Sequence, residues 1–526
     1  MKRDFSLLAG KHFDLLVCGG GIYGAWTAYD AALRGLSVAI VEQGDWAGAT
    51  SSASSKLIHG GLRYLETYDF KLVRKAILER QRLLELAPHR VWPLRFGVPI
   101  YRDSRIGTLK LKAGLTLYDL LAGFPGADIA HHHFNRAAFA ARFPALSSDG
   151  LKGGFTYGDA QTDDARLVLE LIAGAMAAGA VCVNYCRLTG LIESGGQVCG
   201  ATVQDRPIDK SAQILARQIV YTTGQWTAAS QPGRDWCRLS KGVHLVMATA
   251  LADGAMTDEA LLLTAQSDGR VFFMIPWYGM TLVGTTDSDY KGDIEHVAVE
   301  QSEVAYLLTE ANHYLKTPWT EADIVGSYAG VRVMKRSDMA SSSAVSRDWE
   351  LQTAGNGVHY SIGGKLTSAR EDAAGIVNTV CAQLGVDAAC ATKSRRFPWA
   401  PEESYPEWLA AVNVQASRLG IDQESAKWLM RSHGKRVNEI LRSMASDPRL
   451  AERIVPTLPF IYADLLFCAN NEMVIHLDDL LRRRMPLLIL AKLDEGTLRR
   501  IAGTVATTMG WDEAAMNREV ASCRQR

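Results

Sequence analysis

A glycine-rich turn near the N-terminus is the first group of residues with a recognisable chemistry. Residues 19–24 read Gly-Gly-Gly-Ile-Tyr-Gly and fit the pattern G-x-G-x-x-G. In such a turn Gly19 permits a tight bend, Gly21 lets a pyrophosphate approach the backbone, and Gly24 allows a helix and a strand to pack closely. Glu42 follows at the spacing of an acidic residue that accepts hydrogen bonds from ribose hydroxyls. The pattern predicts a dinucleotide site, without separating FAD from NAD.

A second segment indicates what the dinucleotide carries. Residues 50–64 are rich in serine and glycine, but they also contain Leu57-Ile58 and Gly60-Gly61, which a flexible linker would not. Small residues beside short apolar ones fit a loop that lets a flat ring pack against the backbone. We therefore predict that this segment packs against a flat cofactor ring.

The elements that must position these residues follow from the hydrophobic pattern. Residues 13–18 form a short apolar run typical of a buried parallel strand, and residues 25–33 predict a helix that ends at Gly35. A second apolar strand over residues 37–42 completes a βαβ unit. Later runs predict a helix over 165–178 and strands near 181–187, 191–193, 198–204, 218–222, 271–276, 280–284 and 360–364.

The order of these segments predicts the domain organisation. We expect an α/β fold with an α-helical C-terminal part: a Rossmann-type FAD-binding domain, an inserted β-rich substrate domain and a C-terminal helical domain. The expected ranges are 1–90, 151–240 and 331–395 for the FAD-binding domain, 91–150 and 241–330 for the substrate domain, and 407–526 for the helical domain, after a proline-rich linker.

Composition excludes several other functions. The 526 residues include 57 Lys+Arg and 57 Asp+Glu, and a general nucleic-acid binder usually has a basic excess, so we expect no nucleic-acid partner. The nine scattered cysteines lack the paired spacing of a zinc site. The run His131-His132-His133 is expected to be a solvated loop, because consecutive side chains point in different directions. We predict no metal, and a cytoplasmic protein without a membrane-spanning segment.

At this point the chain resembles a known family. Residues 50–66 resemble the flavin-contact segment of the FAD-dependent glycerol-3-phosphate dehydrogenases and α-glycerophosphate oxidases, almost residue for residue. The further matching segments are residues 157–159, 164–167, 241–244, 275–277, 284–287, 290–293, 328–332, 346–348 and 363–367, with a looser match over 472–483.

The resemblance implies FAD as the cofactor and a set of residues that bind it. Beside the glycine turn and Glu42, the set comprises Thr50, Ser51, Ser55, Lys56, Leu57, His59, Gly60, Gly61, Gly224, Gly364, Leu366 and Thr367. It also implies a small phosphorylated substrate, sn-glycerol 3-phosphate, which is oxidised to dihydroxyacetone phosphate by hydride transfer to flavin N5.

The resemblance also implies the residues that handle this substrate. A phosphate dianion calls for cations, preferably guanidinium groups that donate two parallel hydrogen bonds. Arg332 and Lys365 are the expected catalytic cations, and His244 is the expected base because a neutral imidazole can accept the hydroxyl proton. Arg63, Tyr64 and Arg347 are the expected substrate-binding residues.

The sequence leaves alternatives open for the electron acceptor, for attachment to the membrane and for the substrate. Dehydrogenases of this type resemble peripheral membrane proteins that reduce quinone, whereas the oxidases use oxygen. Basic runs such as Lys110 and Lys112, which flank apolar residues, are candidates for contact with the cytoplasmic membrane.

The chain differs from the family pattern near Arg332 and Lys365, at Val333 and Ser368 among others, so a related phosphorylated polyol or phosphonate stays open as substrate. An amine or amino-acid oxidase, a flavin-binding protein without catalysis, and a homodimer also stay open.

Overall fold

A computed structural model describes residues 1–66, 68–123, 126, 129–248, 258–336, 348–444 and 447–524. These residues form two sheets and a C-terminal group of helices. The strands are β1 (His12–Cys18), β2 (Val38–Val41), β3 (Leu57–Ile58), β4 (Val91–Tyr101), β5 (His132–Asn135), β6 (Leu151–Thr162), β7 (Val181–Val183), β8 (Cys186–Ser194), β9 (Gln197–Asp205), β10 (Lys210–Tyr221), β11 (Cys237–Met247), β12 (Ala260–Thr264), β13 (Val271–Trp277), β14 (Met280–Gly284), β15 (Ser288–Asp289), β16 (Ile324–Lys335), β17 (Glu350–Thr353) and β18 (His359–Ile362).

The helices lie between the strands and after the last one. They are α1 (Ile22–Leu33), α2 (Phe70–Leu86), α3 (Thr108–Leu121), α4 (Arg136–Arg142), α5 (Asp164–Ala177), α6 (Gly233–Trp236), α7 (Gln301–Asn312), α8 (Ala369–Leu384), α9 (Tyr405–Arg418), α10 (Gln423–His433), α11 (Val437–Ser443), α12 (Tyr462–Asn471), α13 (Leu477–Asp479), α14 (Leu487–Leu490), α15 (Glu495–Met509) and α16 (Glu513–Arg524).

The first sheet is the predicted nucleotide-binding core. Its central order is β17-β18-β10-β1-β2-β7, and β1 pairs in parallel with both β2 and β10. All four residues of β2 are buried, which explains its uninterrupted apolar sequence. Helix α1 packs against α5 and α8, so the βαβ unit predicted from residues 13–42 is confirmed. The tight turn between β8 and β9 is made by Gly195 and Gly196, both with positive φ.

The second sheet contains the predicted β-rich region. Its order is β15-β11-β14-β13-β12-β4-β6-β3, with β16 paired to β11 and β5 paired to β6. Strand β6 belongs here because it pairs along its length with β4, although residues 151–162 lie in the range expected for the FAD-binding domain. Strand β16 likewise crosses the expected boundary at residues 330 and 331.

The expectation for the three consecutive histidines is wrong in one respect. His132 and His133 begin β5, where they pair with Thr156 and Phe155 of β6. His131 precedes the strand, and its Nδ1 lies 2.7 Å from Asp119 Oδ2. The segment is therefore an edge strand, and polar residues are tolerated there because the side chains of His132 and His133 are exposed to solvent.

The C-terminal helices pack on the nucleotide-binding part through buried ion pairs. Arg166 of α5 is completely buried and donates to Glu472 Oε1 at 2.9 Å, just beyond α12. Ser432 of α10 supplies its carbonyl oxygen to the same guanidinium at 2.7 Å. This arrangement confirms the predicted fold class of an α/β protein with a helical C-terminal part. None of the helices in the described ranges combines the length and apolarity that crossing a bilayer requires.

Candidate active site

A cavity of about 1120 Å³ lies at the carboxyl ends of β1 and β2 and is lined by both sheets. Its wall includes Cys18 and Val41, the last residues of those strands, and Phe273 and Arg332 of the second sheet. Open parallel sheets bind ligands outside the carboxyl ends of their strands, at the point where the strand order reverses direction. The cavity is therefore placed where the glycine turn predicts a dinucleotide.

The glycine turn is held by contacts that leave no room for side chains. A Cβ on Gly24 would lie 1.9 Å from the carbonyl oxygen of Gly19, and one on Gly19 would lie 2.6 Å from that of Thr222. Gly19 also has φ +109°, a conformation that favours glycine. These contacts hold the start of α1 against the ends of β1 and β10, which exposes the helix N-terminus to the cavity.

Glu42 lies at the end of β2 and lines the same cavity. Its Oε2 accepts from the Gly20 N–H at 2.6 Å and its Oε1 accepts from the Gly44 N–H at 2.8 Å. Burial raises the pKa of the Glu42 carboxyl, and the two N–H groups oppose that effect. The carboxylate is thus fixed beside the glycine turn, with lone pairs that a ribose hydroxyl could use.

The serine-rich loop of residues 50–55 lies against β16. Thr50 Oγ1 donates to the Val331 carbonyl at 2.6 Å, and Tyr328 Oη donates to the Ser54 carbonyl at 2.7 Å. A Cβ on Gly330 would lie 2.9 Å from that of Ala53, so the strand and the loop touch directly. The loop therefore takes its position from the strand that carries Arg332.

His244 lies in the middle of β11, almost completely buried. Its Nε2 is 2.8 Å from Ser55 Oγ, while its Nδ1 makes no hydrogen bond among the described residues. The ring stacks on Tyr328, with centroids 4.9 Å apart. Burial, reinforced by the positive charges of Arg332 and Lys56, holds the pKa of His244 well below its ordinary value. The imidazole is accordingly neutral.

Arg332 reaches the cavity from β16, on the same face of the sheet as His244. It pairs with Ser240, four residues before His244, and directly opposite residues of antiparallel strands share a face. Its Nη2 donates to Thr285 Oγ1 at 2.7 Å. A Cβ on Gly242 would lie 2.1 Å from that nitrogen, so the glycine makes room for the guanidinium.

Two further cationic side chains lie close to the ring of Tyr64. The Nζ of Lys365 lies 3.7 Å from the ring centroid, and the guanidinium carbon of Arg63 lies 4.9 Å from it. Lys365 is positioned through its backbone, since its N–H donates to Tyr23 Oη at 2.9 Å. A Cβ on Gly364 would lie 1.7 Å from the same oxygen. Two loops distant in sequence thus bring two cations together at the cavity wall.

Most of the predicted site residues line this cavity. The predicted cofactor residues on its wall are Gly19, Gly21, Glu42, Thr50, Ser51, Ser55, Leu57, His59, Gly61, Gly224, Gly364, Leu366 and Thr367. The predicted catalytic and substrate residues on its wall are His244, Arg332, Lys365, Arg63 and Tyr64. Arg347 lies outside the described residues.

Three predicted cofactor residues lie behind the wall instead. The close packing of Gly24 already accounts for its place beneath the turn. Lys56 turns its ammonium away, donating to Asp164 Oδ1 at 2.6 Å and to the Ser52 carbonyl at 2.7 Å. The Gly60 N–H donates to Asp159 Oδ1 at 3.0 Å. Lys56 and Gly60 therefore help to shape the loop, and their contact with the cofactor stays a prediction.

Sequence reasoning missed several residues of the site. Tyr23 was part of the glycine pattern, but its contact with Lys365 depends on a segment 342 positions away. Thr285 stood in a motif that matched the family without a function attached to it. The C-terminal residues His476, Asp478 and Arg483 also line the cavity, and they lie in the segment whose family match was looser and suggested no function.

The residues present fit FAD. A helix N-terminus beside glycines suits a pyrophosphate, a fixed carboxylate suits a ribose, and the cavity extends past the serine-rich loop to His244 and Arg332. Glu42 would hold the adenosine ribose, and residues 50–61 would lie along the flavin.

Comparison with known proteins agrees with this arrangement. Residues 14–370 match the family described as FAD dependent oxidoreductase, and residues 390–516 match the C-terminal domain of alpha-glycerophosphate oxidase. The chain is 34% identical to glycerol-3-phosphate dehydrogenase 2 of Mycobacterium tuberculosis over 98% of its length and 88% of that protein. The chain belongs to the FAD-dependent glycerol-3-phosphate dehydrogenase family.

Other members of the glycerol-3-phosphate dehydrogenase family extend this relationship. The aerobic glycerol-3-phosphate dehydrogenase of Bacillus subtilis is 31% identical over 98% of the chain and 95% of that protein. The structure of the Bacillus halodurans glycerol-3-phosphate dehydrogenase complexed with FAD superimposes with a TM-score of 0.79 at 28% identity, covering 99% of this chain and 95% of that one. The resemblance inferred from the motifs and the predicted fold are thus confirmed, and FAD is the cofactor that names the family.

The packing of Gly24 predicts that a side chain there prevents FAD retention. In Gly24→Val the added carbons would collide with the Gly19 carbonyl and push α1 away from the turn. We expect the purified variant to lose its flavin absorbance after gel filtration. The matched control is Gly190→Val in β8, where a Cβ meets no atom within 4 Å. A yellow, fully loaded Gly24→Val protein would contradict the assignment of this turn.

Proposed function

We propose that the protein oxidises sn-glycerol 3-phosphate to dihydroxyacetone phosphate, with FAD as the acceptor of the hydride and a quinone as the acceptor of the electrons. The observation that carries the proposal is the convergence of three cations, Arg63, Arg332 and Lys365, with the neutral His244 on one cavity. The names of the relatives support the substrate, and the matched family supports the cofactor.

The two cationic groups suit the two ends of the substrate. Lys365 and Arg63 flank Tyr64 and together provide donors for a phosphate dianion. Arg332 shares a face of the sheet with His244, so it is placed to lower the energy of negative charge on the substrate oxygen as its proton leaves. The chemistry that bound FAD supplies is acceptance of the hydride at flavin N5 and later release of two electrons.

His244 is the base in this proposal, and Ser55, which also lines the cavity, is its hydrogen-bond partner. With its proton on Nδ1, the imidazole accepts the Ser55 hydroxyl at Nε2, 2.8 Å away. The substrate hydroxyl then gives its proton to Ser55 Oγ while the Ser55 proton moves to Nε2. Ser55 thereby acquires a proton-transfer role in addition to the cofactor contact expected from the sequence.

The alternative of an amine or amino-acid oxidase is less compatible with the site. A substrate carboxylate needs one cation, whereas Arg63, Arg332 and Lys365 all line this cavity. A phosphorylated polyol or phosphonate would use the same cations as glycerol 3-phosphate. Longer phosphorylated polyols differ from glycerol 3-phosphate in the length of the carbon chain beyond the alcohol, so comparing their reaction rates distinguishes these substrates.

Helix α3 provides the observation that favours a membrane-bound acceptor. Leu109 and Leu120 are 85% and 53% exposed, and with Ala113 and Thr116 they lie within an arc of about 60° on the helix surface. Lys110 and Lys112 lie on either side of this stripe. An exposed apolar stripe between lysines is typical of a helix that lies in the membrane interface, so we propose that the protein meets a quinone in the membrane there.

The test of the function is an anaerobic titration of the FAD-loaded enzyme. We expect sn-glycerol 3-phosphate to bleach the flavin band, glycerol to leave it unchanged, and a quinone to restore it faster than oxygen does. In Arg332→Ala the flavin spectrum should stay intact while the bleaching rate falls about 100-fold or more, because donors aimed at developing charge contribute that much.

A control variant and two further substrates make this titration decisive. Arg336→Ala removes a more exposed guanidinium four residues further on and should bleach at the wild-type rate. Bleaching by an amino acid but not by glycerol 3-phosphate would contradict the proposed substrate. Faster bleaching by a longer phosphorylated polyol would replace glycerol 3-phosphate with that substrate.

The lowered pKa of His244 predicts the acid side of the pH profile. A base works in its neutral form, and a lowered pKa keeps it neutral to more acidic pH. We therefore expect kcat to stay level as pH falls through about 6.5, the ordinary imidazole value, and to decline only below it. Because the substrate phosphate also titrates near pH 6, the profile is measured at saturating substrate and compared with His244→Gln. A decline centred above pH 6.5 would exclude His244 as the base.

The exposed stripe on α3 predicts membrane binding. Vesicles of phosphatidylcholine with phosphatidylglycerol should sediment the wild-type protein. Leu109→Ser with Leu120→Ser should lower the bound fraction several-fold, and Lys110→Glu with Lys112→Glu should do the same at low salt. Val414→Ser on α9 is the control, because that apolar side chain is 52% exposed at a distant position in sequence. Equal sedimentation of all variants would exclude α3 as the contact.

A further inference from the structure

The end of the cavity near Glu42 has a wall that the C-terminal part of the chain supplies. His476, Asp478 and Arg483 line the same cavity as the glycine turn and the serine-rich loop. Arg483 and Asp478 are each less than a tenth exposed, so their charged groups belong to the interior of the wall. Tyr185 of the nucleotide-binding part contacts the same C-terminal segment, because its hydroxyl donates to Asp479 Oδ1 at 2.6 Å.

A buried cluster of charges connects this wall to the loop that follows β2. Asp45 is 3% exposed and accepts from two adjacent arginines. Arg484 donates to its Oδ1 at 3.0 Å and also contacts its Oδ2, while Arg483 Nε donates to Oδ2 at 2.6 Å. Arg484 is completely buried and also donates to the Glu472 carbonyl at 2.6 Å. Two parallel donors from one guanidinium fix the orientation of the carboxylate as well as its position.

The loop between Glu42 and Trp46 is held from both sides. On one side Glu42 accepts from Gly20 and Gly44, and Trp46 packs so closely on Gly20 that a Cβ there would lie 2.3 Å from the indole. On the other side the Trp46 indole N–H donates to the Met473 sulfur at 3.4 Å. A continuous set of contacts therefore runs from the C-terminal segment to the glycine turn.

We propose that the C-terminal helical unit is a working part of the FAD site. Arg484 and Asp45 are positioning residues that hold the Glu42 loop against the glycine turn, and Asp478 and Arg483 enclose the adenosine end of the cofactor. The proposal rests on FAD being the cofactor and is independent of the substrate. The C-terminal unit thereby contributes to FAD binding in addition to the glycine turn and the serine-rich loop.

Hydrogen exchange of the full-length protein tests the proposal. The FAD-stripped and FAD-reloaded forms are compared by mass spectrometry, with a third sample that receives FMN, which lacks adenosine. FAD should slow exchange at least five-fold in peptides covering residues 472–485 as well as in those covering 19–46. FMN should leave residues 472–485 unchanged. FAD protection confined to the nucleotide-binding part, or equal protection by FMN, would overturn the proposal.

A conservative variant separates positioning from general stability. Lysine cannot reproduce the paired donors of Arg484, so Arg484→Lys should raise the dissociation constant of FAD ten-fold or more and leave that of FMN unchanged. Arg499→Lys on α15, where the guanidinium is exposed and pairs with Glu495, should change neither constant. Equal losses of FAD and FMN affinity in Arg484→Lys, or no loss of either, would count against the positioning role. Should Arg484→Lys fail to fold, the exchange comparison on the unmodified chain still decides.

Discussion

Close contact at glycines is the constraint on which the rest of this site depends. Gly24 touches Gly19, Gly330 touches the serine-rich loop, and Gly364 touches the hydroxyl of Tyr23, each at a distance where no side chain would fit. Each contact joins two segments that carry functional groups at their ends. The positions of Arg332 and Lys365 therefore depend on where the backbone passes, and side-chain contacts such as that of Arg332 with Thr285 complete them.

Charge is organised locally in a chain that has no net charge. Cations line the cavity, while the imidazole of His244 is kept neutral by burial and by the nearby positive charges of Arg332 and Lys56. The two effects are complementary, because a site that attracts a dianion also disfavours a protonated base. Elsewhere buried arginines such as Arg166 are matched by carboxylates, so their charge contributes to packing between parts of the chain.

The extent to which the sequence predicted this site depends on the range of the interactions. The βαβ unit, the glycine turn and Glu42 were predictable because strand, turn and helix follow one another within thirty residues. Arg332, Lys365 and His244 required a family resemblance, since lone cations and histidines occur everywhere. The ion pair between the Lys56 ammonium and Asp164 was not predictable from the local sequence, because the two residues are 108 positions apart. Strand β5 was missed because polar residues at a sheet edge lack the alternation that marks a half-buried strand.

The contact of Asp45 with Arg483 and Arg484 has a consequence for how the protein is made. The two sides of this contact are 438 and 439 positions apart. The nucleotide-binding strands near the N-terminus leave the ribosome long before the arginines that neutralise Asp45 exist. During that interval the loop beside Glu42 carries an unpaired carboxylate that favours solvent over the interior. The loop acquires its final form only after residues 483 and 484 have been synthesised, and a chain interrupted before them lacks both donors to Asp45 and the wall that Arg483 contributes to the cavity.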